Sequence, residues 1–163
     1  MKKEENVLIR DIMIKDVATA TPATSILEVS QAMLANNYSG LPVVDKGRRV
    51  LGLVTEYDLL TKGTAIHLPT FIKLFRGYPV AKGRDTLIKG KLGDILSFTV
   101  KDVMNTEPMI LHDTDTITTL VETLSQHHRV SPIPVVDAAG VLLGIISRYD
   151  VIKFYASMLH QAE

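Results

Sequence analysis

No cysteine occurs in the 163 residues, which excludes disulfides, thiolate zinc sites and a cysteine nucleophile, and fits a reducing compartment. Nor is either charge in excess: 18 lysines and arginines face 18 aspartates and glutamates. A chain that grips the phosphates of DNA or RNA usually carries a basic surplus, so nucleic acid is not an expected partner. Long apolar runs are missing too. Near the N-terminus only Val7 to Ile9 precede Arg10, too few for a signal-peptide core, and no run approaches the length that spans a bilayer. The expectation is a soluble, cytoplasmic protein with no membrane partner. P-loop, Gly-x-Gly-x-x-Gly and nucleophile-elbow patterns are absent, so no enzyme and no required cofactor are expected. His67 and His112-Asp113 have neither a histidine one helical turn away nor a cysteine beside them, so no metal site is expected.

What the chain does contain is itself, twice. Ile9-Arg10-Asp11-Ile12-Met13 returns as Val100-Lys101-Asp102-Val103-Met104. Leu41-Pro42-Val43-Val44-Asp45 returns as Ile133-Pro134-Val135-Val136-Asp137, and Leu51 to Asp58 returns as Leu143 to Asp150. The first pair is offset by 91 and the others by 92, which places one inserted residue near His127-His128. Three matches in one order mean duplication of a unit of roughly 50 residues, too large for a solenoid repeat. Apolar residues make up 46% of the chain, enough for two small, intimately packed domains.

Each unit reads alike. Val17 to Ala20, before Pro22, is a predicted short strand, and so is Met109 to Leu111. Thr24 or Ser25 can cap a helix carrying Ile26, Val29, Met33 and Leu34, with Asn36-Asn37 at its end. Ile117, Leu120, Val121 and Leu124 mark its counterpart. Leu41–Asp45 and Val50–Val54 form a hairpin about Lys46-Gly47-Arg48, matched by Ile133–Val136 and Val141–Ile146 about Ala138-Ala139-Gly140. Helices then open at Thr55 and Ser147. The fold class is mixed α/β (α+β), β-α-β-β-α twice. One such unit cannot cover both faces of its sheet, so the two should pack together.

The Pro-Val-Val-Asp strands, the segments Gly52–Asp58 and Gly144–Asp150, and the Asp-Ile/Val-Met sequences at Asp11 and Asp102 resemble the cystathionine-β-synthase-type (CBS) domain pair. The resemblance implies a first domain over 8–62, a connecting segment over 63–98, a second domain over 99–156 and a helix end over 157–163. It also implies a pseudo-twofold axis, two clefts, a homodimer, and a regulatory, energy-sensing role toward a protein partner. The clefts of this family take AMP, ADP, ATP, S-adenosylmethionine or related adenine compounds.

The residues suit such a ligand. Thr55 and Ser147 stand where a strand turns into a helix, and a helix N-terminus favours phosphate through its unpaired N–H groups. Their hydroxyls could donate to a phosphate oxygen, while Asp58 and Asp150, three residues on, could accept from ribose hydroxyls. Family geometry places adenine against Ala20, Thr21, Leu41 and Val43 on one side, and against Leu111, His112, Ile133 and Val135 on the other. The same Thr/Ser-x-x-Asp spacing is also that of a helix capping box, and the two readings are compatible. The halves differ at one neighbour: Glu56 disfavours a polyphosphate and Arg148 favours one, so the second half is expected to take the more phosphorylated ligand. His127-His128-Arg129 reads either as a basic, solvated helix end or, by resemblance to gamma subunits of AMP-activated kinase, as a phosphate contact through Arg129.

Residues 61–97 belong to neither repeat and hold seven lysines or arginines against two aspartates. Phe71, Ile72, Leu74 and Phe75 suggest one short helix; Leu87, Leu92, Ile95 and Leu96 suggest another. This basic stretch is either a packed connection or a docking patch. Val151, Ile152, Phe154, Tyr155, Met158 and Leu159 give the last helix an apolar side suited to packing or dimerisation. Docking through the connection or this helix, with no ligand, is the alternative function.

Overall fold

Each hairpin is built around one aspartate. Asp45 Oδ1 accepts from the N–H groups of Gly47 (2.8 Å) and Arg49 (2.9 Å). Asp137 Oδ1 does the same for Ala139 (2.8 Å) and Val141 (2.9 Å). A short carboxylate that bonds its own turn ends one strand and starts the next, which is why Asp follows Pro-Val-Val in both copies. The computed structural model describes residues 7–61, 98–127 and 131–160. The helices expected around Phe71 and Leu92, and Arg129, lie outside those residues.

The elements, in order, are α1 (Ile9–Ile12), α2 (Ile26–Asn36), β1 (Gly40–Val44), β2 (Val50–Thr55), α3 (Glu56–Thr61), α4 (Val100–Val103), β3 (Leu111–His112), α5 (Ile117–Gln126), β4 (Ile133–Val136), β5 (Leu142–Ile146) and α6 (Arg148–His160). β1 and β2 pair antiparallel; β4 pairs antiparallel with β5 and parallel with β3. The α+β architecture expected from the pattern is therefore present.

Two expected strands are shorter than the pattern suggests. Val17–Ala20 contributes only a single parallel bridge, Ala20 to Val43, whereas its counterpart runs over Leu111–His112. In the second half the Asp113 N–H donates to the Val136 carbonyl at 3.2 Å. Pro22 occupies the corresponding position in the first half and has no N–H to extend the ladder.

α2 starts at a reciprocal cap. The Ser25 hydroxyl oxygen accepts from the Glu28 N–H (3.2 Å) and Glu28 Oε2 accepts from the Ser25 N–H (3.0 Å). It ends at Asn37, in the left-handed region at φ 55°. Ile26, Val29, Ser30 and Met33 form its buried stripe, and the Ser30 hydroxyl is satisfied by the Ile26 carbonyl at 2.7 Å. Leu34, expected on that stripe, is 61% exposed. In α5 the stripe is Ile117, Leu120 and Leu124; Val121, one position round from Leu120, is exposed.

The two halves exchange their lead-in helices. Ile9 of α1 is fully buried with Leu111, Leu120, Leu124, Ile133, Val135 and Ile146, the core of the second half. Val100 and Val103 of α4 are buried with Ala20, Ile26, Val29, Met33, Leu41, Val43 and Val54, the core of the first. The contacts are reciprocal. Leu8 bridges Thr116 as Thr99 bridges Ser25, and Ile14 bridges Ile145 as Asn105 bridges Leu53. At the hairpin tips Arg49 bridges its own counterpart Val141, with Val50 N–H donating to the Gly140 carbonyl (3.2 Å) and Leu142 N–H to the Arg48 carbonyl (2.9 Å). Such pairings define a pseudo-twofold axis.

The crossing explains a glycine in each repeat. A Cβ on Gly52 would lie 2.6 Å from the Asn105 carbonyl oxygen, and one on Gly144 would lie 2.7 Å from that of Ile14. Only hydrogen fits where the other half's lead-in passes.

Candidate functional site

Both strand-to-helix junctions are closed by a hydroxyl and a carboxylate. In the first half Asp58 Oδ2 accepts from the Thr55 N–H (3.0 Å) and the Thr55 hydroxyl (2.6 Å), and the Asp58 N–H donates back to Thr55 Oγ1 (3.2 Å). In the second, Asp150 Oδ2 accepts from the Ser147 N–H (2.9 Å) and hydroxyl (2.6 Å). The two carboxylates are only 7% and 4% exposed. Short charge-assisted bonds are what let an aspartate stay there, since a buried charge without partners would be strongly unfavourable. The sequence-level pairing of Thr55 with Asp58 and of Ser147 with Asp150 is thus a physical contact. In this arrangement each hydroxyl donates to its own aspartate.

The junctions lie beside the axis. Thr55 pairs with Gly40 across the β1–β2 ladder, and a Cβ on Gly40 would stand 3.1 Å from both Thr55 Cγ2 and Pro132 Cδ. Pro132 is the counterpart of Gly40 in the second repeat, so these equivalent positions meet where the halves touch.

The residues expected around adenine divide into two kinds. Ala20, Leu41 and Val43 are buried in the first core, and Leu111, Ile133 and Val135 in the second. Thr21 and His112 are exposed at the strand ends, where a planar group can reach them. Each is tied by its backbone to the following turn: the Thr21 N–H donates to Thr24 Oγ1 (2.9 Å) and the His112 N–H to Asp115 Oδ2 (2.8 Å).

Arg148 points elsewhere than the expectation. Its Nη2 donates to the carbonyls of Leu124 (3.2 Å) and His127 (3.0 Å), the unsatisfied end of α5. These two bonds anchor the guanidinium at that helix end through Nη2. Glu56, its counterpart, is exposed.

Sequence reasoning passed over Lys153. Its Nζ lies 2.9 Å from Asp150 Oδ1 and 4.9 Å from the centroid of the Tyr149 ring. The hydrogen bond to Asp150 is the main reason its pKa stands above the ordinary lysine value. The signal was available, because a lysine three residues after an aspartate on a helix shares its face. No group of three or more potential metal ligands occurs among the described residues, and no described helix is long and apolar enough to cross a membrane.

Comparison with known proteins agrees with the duplicated fold. The sequence profile of the CBS domain matches residues 9–63 and 100–157. Protein MJ1225 of Methanocaldococcus jannaschii is 28% identical over 155 residues, 95% of this chain. The chain spans only part of the curated relatives it matches, 49% of MJ1225 and 31% of MJ1404 from the same organism. Among solved structures, CBSX2 of Arabidopsis thaliana in complex with AMP superposes with a TM-score of 0.70 at 23% identity, covering 93% of this chain and 98% of that one. The CBS pair of protein MJ0100, in complex with 5′-methylthioadenosine and S-adenosyl-L-methionine, gives 0.65 at 20% identity over 93% of this chain and 98% of its own. At those identities the likeness is one of fold.

Proposed function

Because this chain belongs to the CBS-domain family, as two units in tandem, we propose that it is a regulatory module that binds an adenosine-containing ligand between its halves and passes occupancy to a partner protein, without catalysing a reaction itself. The observation that carries this reading is the doubled hydroxyl–carboxylate junction beside the pseudo-twofold axis. Asp58 and Asp150 take the ribose, Thr55 and Ser147 the phosphate or its equivalent, and Thr21 and His112 flank the base. The AMP complex of CBSX2 and the S-adenosyl-L-methionine complex of MJ0100 support this ligand class. Arg148 and Arg129 are secondary phosphate contacts in the same reading. The module acts in the cytoplasm as a homodimer.

A second reading has one observation behind it. Tyr57 (54% exposed) and Leu60 (52%) on α3, and Tyr149 (67%), Ile152 (65%) and Leu159 (73%) on α6, are large apolar side chains left exposed on the helices that follow the junctions. A ligand-independent dimerisation or docking module would use those side chains alone.

A thermal-shift panel with AMP, ADP, ATP, S-adenosylmethionine and GTP separates the two. A ligand at 100 times its Kd stabilises by about 2.7 kcal/mol, a shift of roughly 5–10 °C for a chain of this size. An adenine-specific shift that Asp58→Ala or Asp150→Ala diminishes is the expected result. No shift with any compound, in folded protein freed of carried-over nucleotide, leaves the docking reading.

A further inference from the structure

The two hairpin turns share one plan and differ in what they display. The Arg48 N–H donates to the Asp45 carbonyl and the Gly140 N–H to the Asp137 carbonyl, both at 3.0 Å. The donating residue is left-handed in each turn, with φ of 61° at Arg48 and 79° at Gly140. Glycine takes that conformation freely, whereas an arginine takes it at a cost. The first turn does own a glycine, but one place early, at Gly47, where φ is not left-handed. Arg48 thus holds a strained position that the other copy fills with glycine, and strain retained in a surface turn points to a use for the side chain. With Lys46 and Arg49 it makes three exposed cations in four residues, where the second turn has Ala138, Ala139 and Val141. Asp45 and Asp137, at the bases of the turns, accept from turn N–H groups. Among the described residues no ion pair or side-chain hydrogen bond engages any of the three cations.

We propose that this turn is a docking point for an acidic segment of a partner protein, with Lys46, Arg48 and Arg49 pairing its carboxylates. The backbone that carries the cations is already fixed. Asp45 holds it from within, and the other hairpin holds it through the Val50 N–H on the Gly140 carbonyl (3.2 Å) and the Leu142 N–H on the Arg48 carbonyl (2.9 Å). Binding therefore does not have to order the turn, which removes part of its entropic cost. Leu51, the residue left out of register at the bulge in β2, is 39% exposed and lies two positions from Arg49. It offers an apolar contact that a peptide side chain can meet and a phosphate cannot. With 18 charges of each sign, the chain as a whole has no long-range pull on nucleic acid or an anionic membrane, which are gripped through many cations. None of the residues assigned to the adenosine ligand lies in the turn, so the docking point stands or falls apart from nucleotide binding.

The test titrates the isotope-labelled full chain, free of nucleotide, with the peptide Glu-Glu-Leu-Glu-Glu and follows the backbone amides by NMR. The signals of Gly47, Arg48 and Arg49 should move, less so at high salt, and Gln-Gln-Leu-Gln-Gln should leave them in place. Arg48→Gly separates binding from folding: it should unfold no earlier in urea, yet bind the peptide about 3-fold more weakly, the scale of one exposed ion pair. Combining it with Lys46→Ala and Arg49→Ala should weaken binding by about 10-fold or more. Arg48→Lys, which keeps the charge, should stay near the parent. Turn signals that ignore the glutamate peptide, or answer the glutamine peptide equally, overturn the proposal. So does a triple variant that binds as tightly as the parent, or a turn that responds only to phosphatidylserine vesicles or to a DNA duplex.

Discussion

Twice the chain ends a strand on a hydroxyl and folds an aspartate back onto it, with 2.6 Å between Thr55 Oγ1 and Asp58 and the same between Ser147 Oγ and Asp150. Around that shared cap the halves diverge in charge. Glu56 is exposed where Arg148 ties α6 to the end of α5. The backbone of the turn is held by bonds that every copy needs, while the surface of the following helix is free to vary. The difference teaches that two matching caps need not share the same charged neighbours.

The exchange of lead-in helices makes the same halves mutually dependent, and breaking it should have the largest effect. Ile9→Ala removes a fully buried side chain and should destabilise by about 2–5 kcal/mol in urea unfolding. Although Ile9 belongs to the first repeat in sequence, hydrogen exchange should accelerate first in β4 and β5 of the second half. Loss of protection confined to β1 and β2 would contradict the exchange.

A smaller effect sharpens the comparison of the hairpins. Arg48 and Gly140 occupy the same left-handed turn position, with φ of 61° and 79°. A Cβ at Gly140 would meet nothing within 4 Å, so Gly140→Ala isolates the backbone penalty, about 1 kcal/mol. Arg48→Gly should return up to about 1 kcal/mol in the other hairpin. Equal and opposite shifts in the urea midpoint are expected. If Arg48→Gly destabilises instead, the Arg48 side chain stabilises its turn by more than the strain.

The smallest effect is on pH dependence. Hydrogen bonds from Ser25 hold the Glu28 carboxyl below its ordinary pKa of 4.5, and those from Thr99 hold Asp102 below 3.8. A depressed folded-state pKa contributes stability that is present above the unfolded value and lost as pH falls through the folded one. Both caps serve helices packed on the first core, and the counterpart of Glu28 is Thr119, which does not titrate. Hydrogen exchange followed from pH 6 toward pH 3 should therefore show the first half loosening ahead of the second. Glu28→Gln should flatten that difference, and an unaltered profile would count against the cap as its cause.

Much of this molecule is legible from the order of its residues. The duplication, the hairpins and the Thr/Ser-x-x-Asp caps depend on groups a few positions apart, so spacing alone locates them. Pro22 shows the limit of that reading even at short range, because a predicted strand shrinks to one bridge when the next ladder donor is missing. Which core receives Ile9 and which receives Val100 was decided only in three dimensions. Both are apolar residues at the start of a short helix, and periodicity records that they are buried without recording against what. The same holds for Arg148, whose guanidinium takes the unsatisfied carbonyls that α5 happens to bring near. Local hydrogen bonding is written in sequence because its partners are tethered close together; long-range burial and the choice of a long cation's partner are settled by packing.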